Sequence, residues 1–134
     1  MNEDTLRLGQ TGELEWTVED RHCIHRGEHE VFSTPNLVEL IEYAAMEALS
    51  PALGEGQESV GSGVTVSHLQ PTRKGERVTG KARIVAVDRR RVSFEVEAFD
   101  PAGKIAEGTH QRFIVDLDRF GRHLAERGGS AEVN

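Results

Sequence analysis

One stretch governs what this chain can fold into. Residues 31–50, VFSTPNLVELIEYAAMEALS, carry its only long helical pattern. Leu37, Leu40, Ile41, Ala44, Ala45 and Ala48 recur at helical spacing and make a single apolar stripe. The rest of the chain must cover that stripe. Because the stripe is rich in alanine, its cover must approach closely. Thr34 followed by Pro35 reads as the helix start: the threonine oxygen can cap a free N–H, and proline at the first helical position loses no hydrogen bond. Ser50 before Pro51 reads as the end, since proline disfavours helical backbone in the residue before it.

Elsewhere the period is two. Residues 14–18, LEWTV, read as a short strand. Residues 52–59 form a glycine-broken loop, and VGSGVTVSHL, residues 60–69, then alternates. Strict alternation puts Val60, Ser62, Val64, Val66 and His68 on one face, against Gly61, Gly63, Thr65, Ser67 and Leu69. Glycine inside a strand weakens it and marks close approach by a ligand or another backbone. Residues 71–76 turn the chain. Strands at 77–88, 92–100 and 104–117, joined by short turns, then make an antiparallel meander. The three arginines at 89–91 read as a solvated hairpin tip. A strand, a helix and four antiparallel strands give an α+β domain with the helix on one sheet face. The 134 residues suit one domain with one core, with residues 1–12 a loose lead-in and 122–134 a flexible tail. A meander leaves edge strands, and an exposed edge commonly pairs with a second copy of the chain.

Charge and composition exclude some functions. The net charge of −7, from 23 acids against 16 basic residues, argues against nucleic-acid binding, which needs a basic footprint. No apolar run approaches the roughly 20 residues needed to span a membrane. The opening MNEDTLRLGQTGE is too acidic for a secretory signal. One cysteine, Cys23, allows no intrachain disulfide, and the cytoplasm is the simplest compartment. Residues 21–30, RHCIHRGEHE, read as a polar connection holding His22, Cys23, His25 and His29. These are zinc-ligand types, but their spacing matches no strong zinc signature, so no metal is assigned.

The three helix glutamates differ. At about 100° per residue, Glu39 and Glu47 face away from the stripe, while Glu42 sits at its border beside Val38, Ala45 and Leu49. A border carboxylate either simply reaches water or, where burial shields it, becomes a usable base. Helix geometry leaves both open. His68, on an apolar strand face, is likewise either a satisfied core residue or a functional one.

Three segments in order, VFSTPNLVELIEYAA, VGSGVTVSHLQPTRKGE and EGTHQRFIV, resemble the hotdog-fold acyl-CoA thioesterases, and most of all the fluoroacetyl-CoA thioesterase group. The resemblance covers about residues 15–117. It implies a five-stranded antiparallel sheet wrapped around one long central helix, and a homodimer with active sites at the subunit interface. It implies that Thr34, Glu42 and His68 are catalytic, that Gly61 lies near the thioester, and that Arg112 of the GTHxRF segment binds substrate. The implied reaction is hydrolysis of a short or small acyl-CoA to the free acid and coenzyme A, without a cofactor.

These residue types suit that chemistry. The carbonyl needs a nucleophile, and its developing oxyanion needs donors. The helix start at Thr34 and the amide at Gly61 are candidate donors. Glu42 and His68 supply proton transfer. Either Glu42 activates water while Thr34 positions it, or Thr34 attacks and forms an acyl-enzyme. Arg112, Arg73 and Lys74 are candidates for the coenzyme A phosphates. Phe32, Val60, Val64 and Leu69 are acyl-binding candidates by proximity to the motifs. One departure limits the likeness: the fluoroacetyl-specific enzyme uses an aromatic lid before the helix, and HCIHRGEHE, residues 22–30, holds no phenylalanine. The scaffold and the three reactive residues are therefore inferred, and fluoroacetate specificity is not. The alternative is a non-catalytic acyl-CoA or small-ligand binding protein on the same scaffold. A hydratase would want an Asp–His pattern on the helix, which is missing.

Overall fold

The computed structural model describes residues 6–128. Five strands form one antiparallel sheet: β1 (Thr11–Thr17), β4 (Gln57–His68), β5 (Arg77–Asp88), β6 (Arg91–Asp100) and β7 (Gly103–Asp116). Their order across the sheet is β1-β5-β6-β7-β4, so β1 and β4 are its edges. Helix α1 (Thr34–Leu49) lies against one face, mainly over β1 and β5. This is the expected hotdog arrangement.

The core follows from the two periodicities. From α1, Leu37, Leu40, Ile41, Ala44, Ala45, Ala48 and Leu49 are fully buried. From β6, Val92, Phe94, Val96 and Ala98 alternate inward. Each large aliphatic side chain so buried contributes about 2 kcal/mol. The alanines of the helix have a specific cover, which is Gly12 of β1. A Cβ there would collide with the Ala44 carbonyl and the Ala48 backbone, so only glycine lets strand and helix come this close.

Five expectations are corrected. Residues 21–30 are not a loop: a 3₁₀ turn over Asp20–His22 leads into a separate hairpin of β2 (Cys23–Arg26) and β3 (His29–Phe32). The sheet begins at Thr11, and the Gln10 side chain donates to the Ala48 carbonyl at 3.0 Å, so the lead-in is tied down from its second half. A second helix, α2 (Leu117–Arg127), occupies the start of the expected tail, with none of its residues buried. The expectations for residues 1–5 and 129–134 fall outside the described residues.

The helix cap is Ser33, not Thr34. Its Oγ accepts from the Asn36 N–H at 3.3 Å and its carbonyl from the Leu37 N–H at 2.9 Å, with Pro35 one step inside the helix start. Finally, β4 is bulged. Gly61 pairs with Arg112 and Gly63 with Gln111, leaving Ser62 as the extra residue. The slip turns Val60 away from the face it was expected to share with His68. Val60 lies opposite Phe113 on the outer side of the sheet, and Gly61 joins Val64, Val66 and His68 on the helix side.

Candidate active site

Because Ser33 does the capping, the Thr34 hydroxyl is free. Its Oγ1 lies 2.8 Å from His68 Nδ1. Two elements fix this pair: the first turn of α1 and the last residue of β4. Burial pushes the His68 imidazole below its ordinary value of 6.5, with a backbone hydrogen bond at Gln70 pulling the other way. A neutral imidazole can take the Thr34 proton. His68 Nε2 is buried with no hydrogen-bond partner among the described residues. A cleft of about 420 Å³ opens over the pair, walled by Ile24, Val31, Phe32 and Leu69.

Glu42 occupies a second corner, eight residues and about 12 Å further along the helix axis. Its side chain is 38% exposed, and its Oε2 lies 3.8 Å from a terminal nitrogen of Arg112. Of the two surroundings that helix geometry left open, it has the wetter: it reaches solvent and an arginine. Arg112 is 4% exposed. Its Nε donates to Ser59 Oγ at 2.8 Å, and a terminal nitrogen donates to the Ser59 carbonyl at 3.0 Å. The other terminal nitrogen lies 3.2 Å from His110 Nε2. Arginine can only donate, so His110 Nε2 accepts and its Nδ1–H donates to the Gly63 carbonyl at 2.7 Å. His110 is thus held neutral, and burial pushes its pKa below 6.5 as well. Burial also pulls the Arg112 guanidinium down, and Glu42 pulls it back. Gly61 completes this corner. A Cβ there would lie 2.6 Å from Glu42 Oε2, so the absent side chain is what lets the carboxylate rest against β4.

The fluoroacetyl-CoA-specific thioesterase family model matches residues 16–118, which take in both corners. This chain belongs to the fluoroacetyl-CoA-specific thioesterase family. It is 36% identical over 98 residues to the fluoroacetyl-CoA thioesterase of Streptantibioticus cattleyicolor, covering 73% of this chain and 70% of that protein. A point mutant of the fluoroacetyl-CoA-specific thioesterase FlK, solved with fluoroacetate and CoA, superposes with a TM-score of 0.80 at 31% identity, over 86% of this chain and 99% of that one. A hypothetical protein of Thermus thermophilus, a thioesterase superfamily member, superposes with a TM-score of 0.87 at 26% identity, over 96% and 97%. The chain is a thioester hydrolase that acts on an acyl-CoA.

Within this thioesterase the other candidates divide. Leu69 and Phe32 line the cleft, Phe32 as its buried floor. Val64 is 43% exposed on the helix side, opposite His110. Val60 faces away from the cleft and is removed from the acyl-binding set. Arg112 is engaged by Ser59 and His110 and lies beside the Glu42 carboxylate. Lys74 sits 3.4 Å from Asp20 and 3.7 Å from Glu30, whose charges raise its pKa. Arg73 is exposed, in a turn bridged to Val31.

The histidine-rich stretch does mixed work. His22 stacks on Trp16 at 4.9 Å and accepts from the Glu19 N–H at 2.9 Å. Cys23 donates to the Glu19 carbonyl at 3.4 Å, and burial pushes its thiol up. His25 does approach Asp20 and Glu30, with ligand atoms within 4.8 Å of one another, and Lys74 pairs with both acids. The helix start also offers fewer donors than expected. Pro35 has no N–H, and those of Asn36 and Leu37 go to Ser33. Three contributors escaped the sequence reading: Ser33, Ser59 and His110. His110 carried a signal, since GTHxRF places it two residues before Arg112 on one strand face.

Proposed function

We propose that this thioesterase hydrolyses a short acyl-CoA to the free acid and coenzyme A, using Thr34, His68 and Glu42. The observation that carries the reading is the Thr34 hydroxyl, left uncapped and 2.8 Å from a neutral His68 at the mouth of an aliphatic cleft. Ile24, Val31 and Leu69 suit a small acyl group, with no aromatic lid to select fluorine. His68 takes the proton of Thr34 or of a water held by it, and Glu42 serves as the second proton acceptor. The Gly61 amide is the better oxyanion donor, because the helix start is already committed.

In one chain Glu42 stands too far from Thr34 to share a reacting atom. The reading therefore includes a dimer. β4 is a sheet edge, and antiparallel pairing of two β4 strands would bring the Gly61 end of one beside the His68 end of the other. Each site would then take Glu42 and Gly61 from one protomer and Thr34 with His68 from its partner. Thiol release from a panel of acyl-CoAs, short to long, tests the chemistry. Glu42→Gln should lose of order 10²-fold or more, and equal rates would remove Glu42 from the mechanism. Saturable binding without release would favour the non-catalytic reading. Mixing Thr34→Val chains with Glu42→Gln chains tests the shared site: activity returns if the two residues come from different protomers and stays lost if they come from one.

A further inference from the structure

An acidic chain has one strongly basic corner, and the thioesterase chemistry does not use it. Arg89, Arg90 and Arg91 form the tip between β5 and β6, where they line a cleft of about 560 Å³ with Phe113. A second cleft of about 240 Å³ shares Arg90 and Phe113 and adds Arg119, Phe120 and His123 from α2. Four arginines thus face Asp88 and Asp116 in a chain of net charge −7. Arg90 is held by Asp116 at 3.2 Å, and the Gln57 amide, Arg90 and then Arg119 keep that carboxyl low. Arg89 and Arg91 have no ion-pair partner among the described residues. At the centre, Phe113 is 41% exposed.

The backbone adds a second observation. Asp88 pairs with Arg91, so Arg89 and Arg90 are the two central residues of a tight turn. Arg89 has φ of 60°, and it is the only residue other than glycine with positive φ among those described. Glycine or asparagine takes that conformation more cheaply, and an arginine there costs the hairpin stability. Strain of this kind points to use.

We propose that this corner binds the 3′-phosphorylated ADP end of the coenzyme A thioester. Guanidinium forks match phosphate oxygens, and an exposed phenylalanine offers a face on which adenine stacks. Of the cations first considered for the phosphates, Arg112 is engaged in its buried cluster and Lys74 with Asp20 and Glu30, while Arg73 stays exposed. The position also fits. Arg91 pairs with Phe113 and Val92 with Arg112, so the tip lies at the same end of the sheet as the Gly61–Glu42 corner, with Phe113 on the outer face and that corner on the helix side. The inference rests on the acyl-CoA thioesterase reading, since it concerns the other end of the same substrate.

The test compares acetyl-CoA, acetyl-dephospho-CoA and the truncated thioester acetyl-N-acetylcysteamine. Arg89→Ala/Arg91→Ala should raise KM for acetyl-CoA about tenfold or more. It should leave the truncated thioester unchanged and erase the wild-type preference for the 3′-phosphate. Arg89→Gly should do the same in smaller measure while keeping or raising Tm, because the turn strain is relieved. Equal loss on all three thioesters, or no change in KM for acetyl-CoA, overturns the proposal. So does a change in oligomeric state with KM untouched, which would make the corner a contact between copies. If the wild type hydrolyses none of the three, the thioesterase reading fails separately. Calorimetry with coenzyme A and pantetheine then decides: the variants must weaken the first and not the second.

Discussion

The two reactive corners on the helix side of the sheet are built on opposite plans. At the Thr34–His68 corner a single hydrogen bond joins two elements, and His68 Nε2 has no partner among the described residues. At the Glu42 corner the supporting groups are locked. Ser59 and His110 hold Arg112, the Gly63 carbonyl holds His110, and Arg112 faces the carboxylate. A nucleophile's partner must change protonation state during a turnover, so loose satisfaction there is useful. A carboxylate that must stay in one place needs supports that cannot move. The difference teaches that order and reactivity are divided along one helix.

Substitutions can break or sharpen that division. The largest effect should come from the loose corner: Thr34→Val should cut kcat by about 10²-fold, while Thr34→Ser, which keeps the hydroxyl, recovers most of it. Next comes the locked corner. Gly61→Ala should lose about tenfold in kcat/KM, equivalent to about 1.4 kcal/mol, by pushing Glu42 off β4. Gly63→Ala meets only the end of the Gln111 side chain and should lose little. Equal losses from the two glycines would remove the reason given for Gly61.

The pH dependence is a smaller effect. His68 and His110 both have folded pKa values below the ordinary 6.5. The unfolded chain therefore takes up protons first as pH falls. Stability should be flat above about pH 6.5 and should decline below it, until the folded-state values are passed. Urea midpoints at pH 7.5 and 5.5 test this. The acid limb of kcat/KM should also lie below the usual imidazole range, and His68→Gln should abolish it. The smallest effect is the cap. Ser33→Ala should cost about 1 kcal/mol of stability, read as a lower Tm. Activity should fall further than that loss explains if Thr34 is recruited to cap in place of Ser33.

Much of this was legible in the sequence. The helix stripe and the β5–β7 meander each repeat a period over many residues, and that repetition fixed both. The β2–β3 hairpin was not legible, because its four-residue strands carry histidines, an arginine and a glutamate with no apolar alternation. Helix α2 did carry a signal, since Leu117, Phe120 and Leu124 recur at helical spacing, but the stripe is short and none of it is buried. Ser33 and Thr34 are adjacent hydroxyls with similar capping preference, and only the backbone decides between them. Thr34, Glu42, His68, Gly61 and Arg112 all lie on the helix side of the sheet. Their division into two corners depends on rise along the helix, and on a strand slip that spacing did not reveal.

That slip has a consequence of its own. Gly61 and His68 are separated by an odd number of positions, so an uninterrupted strand would show them to opposite sides. The bulge at Ser62 supplies the one unit that turns odd into even. The stretch between them is therefore a counting device, in which length matters more than identity. Most single substitutions there should pass, whereas a one-residue insertion or deletion would send one reactive corner to the wrong side of the sheet while the fold survived.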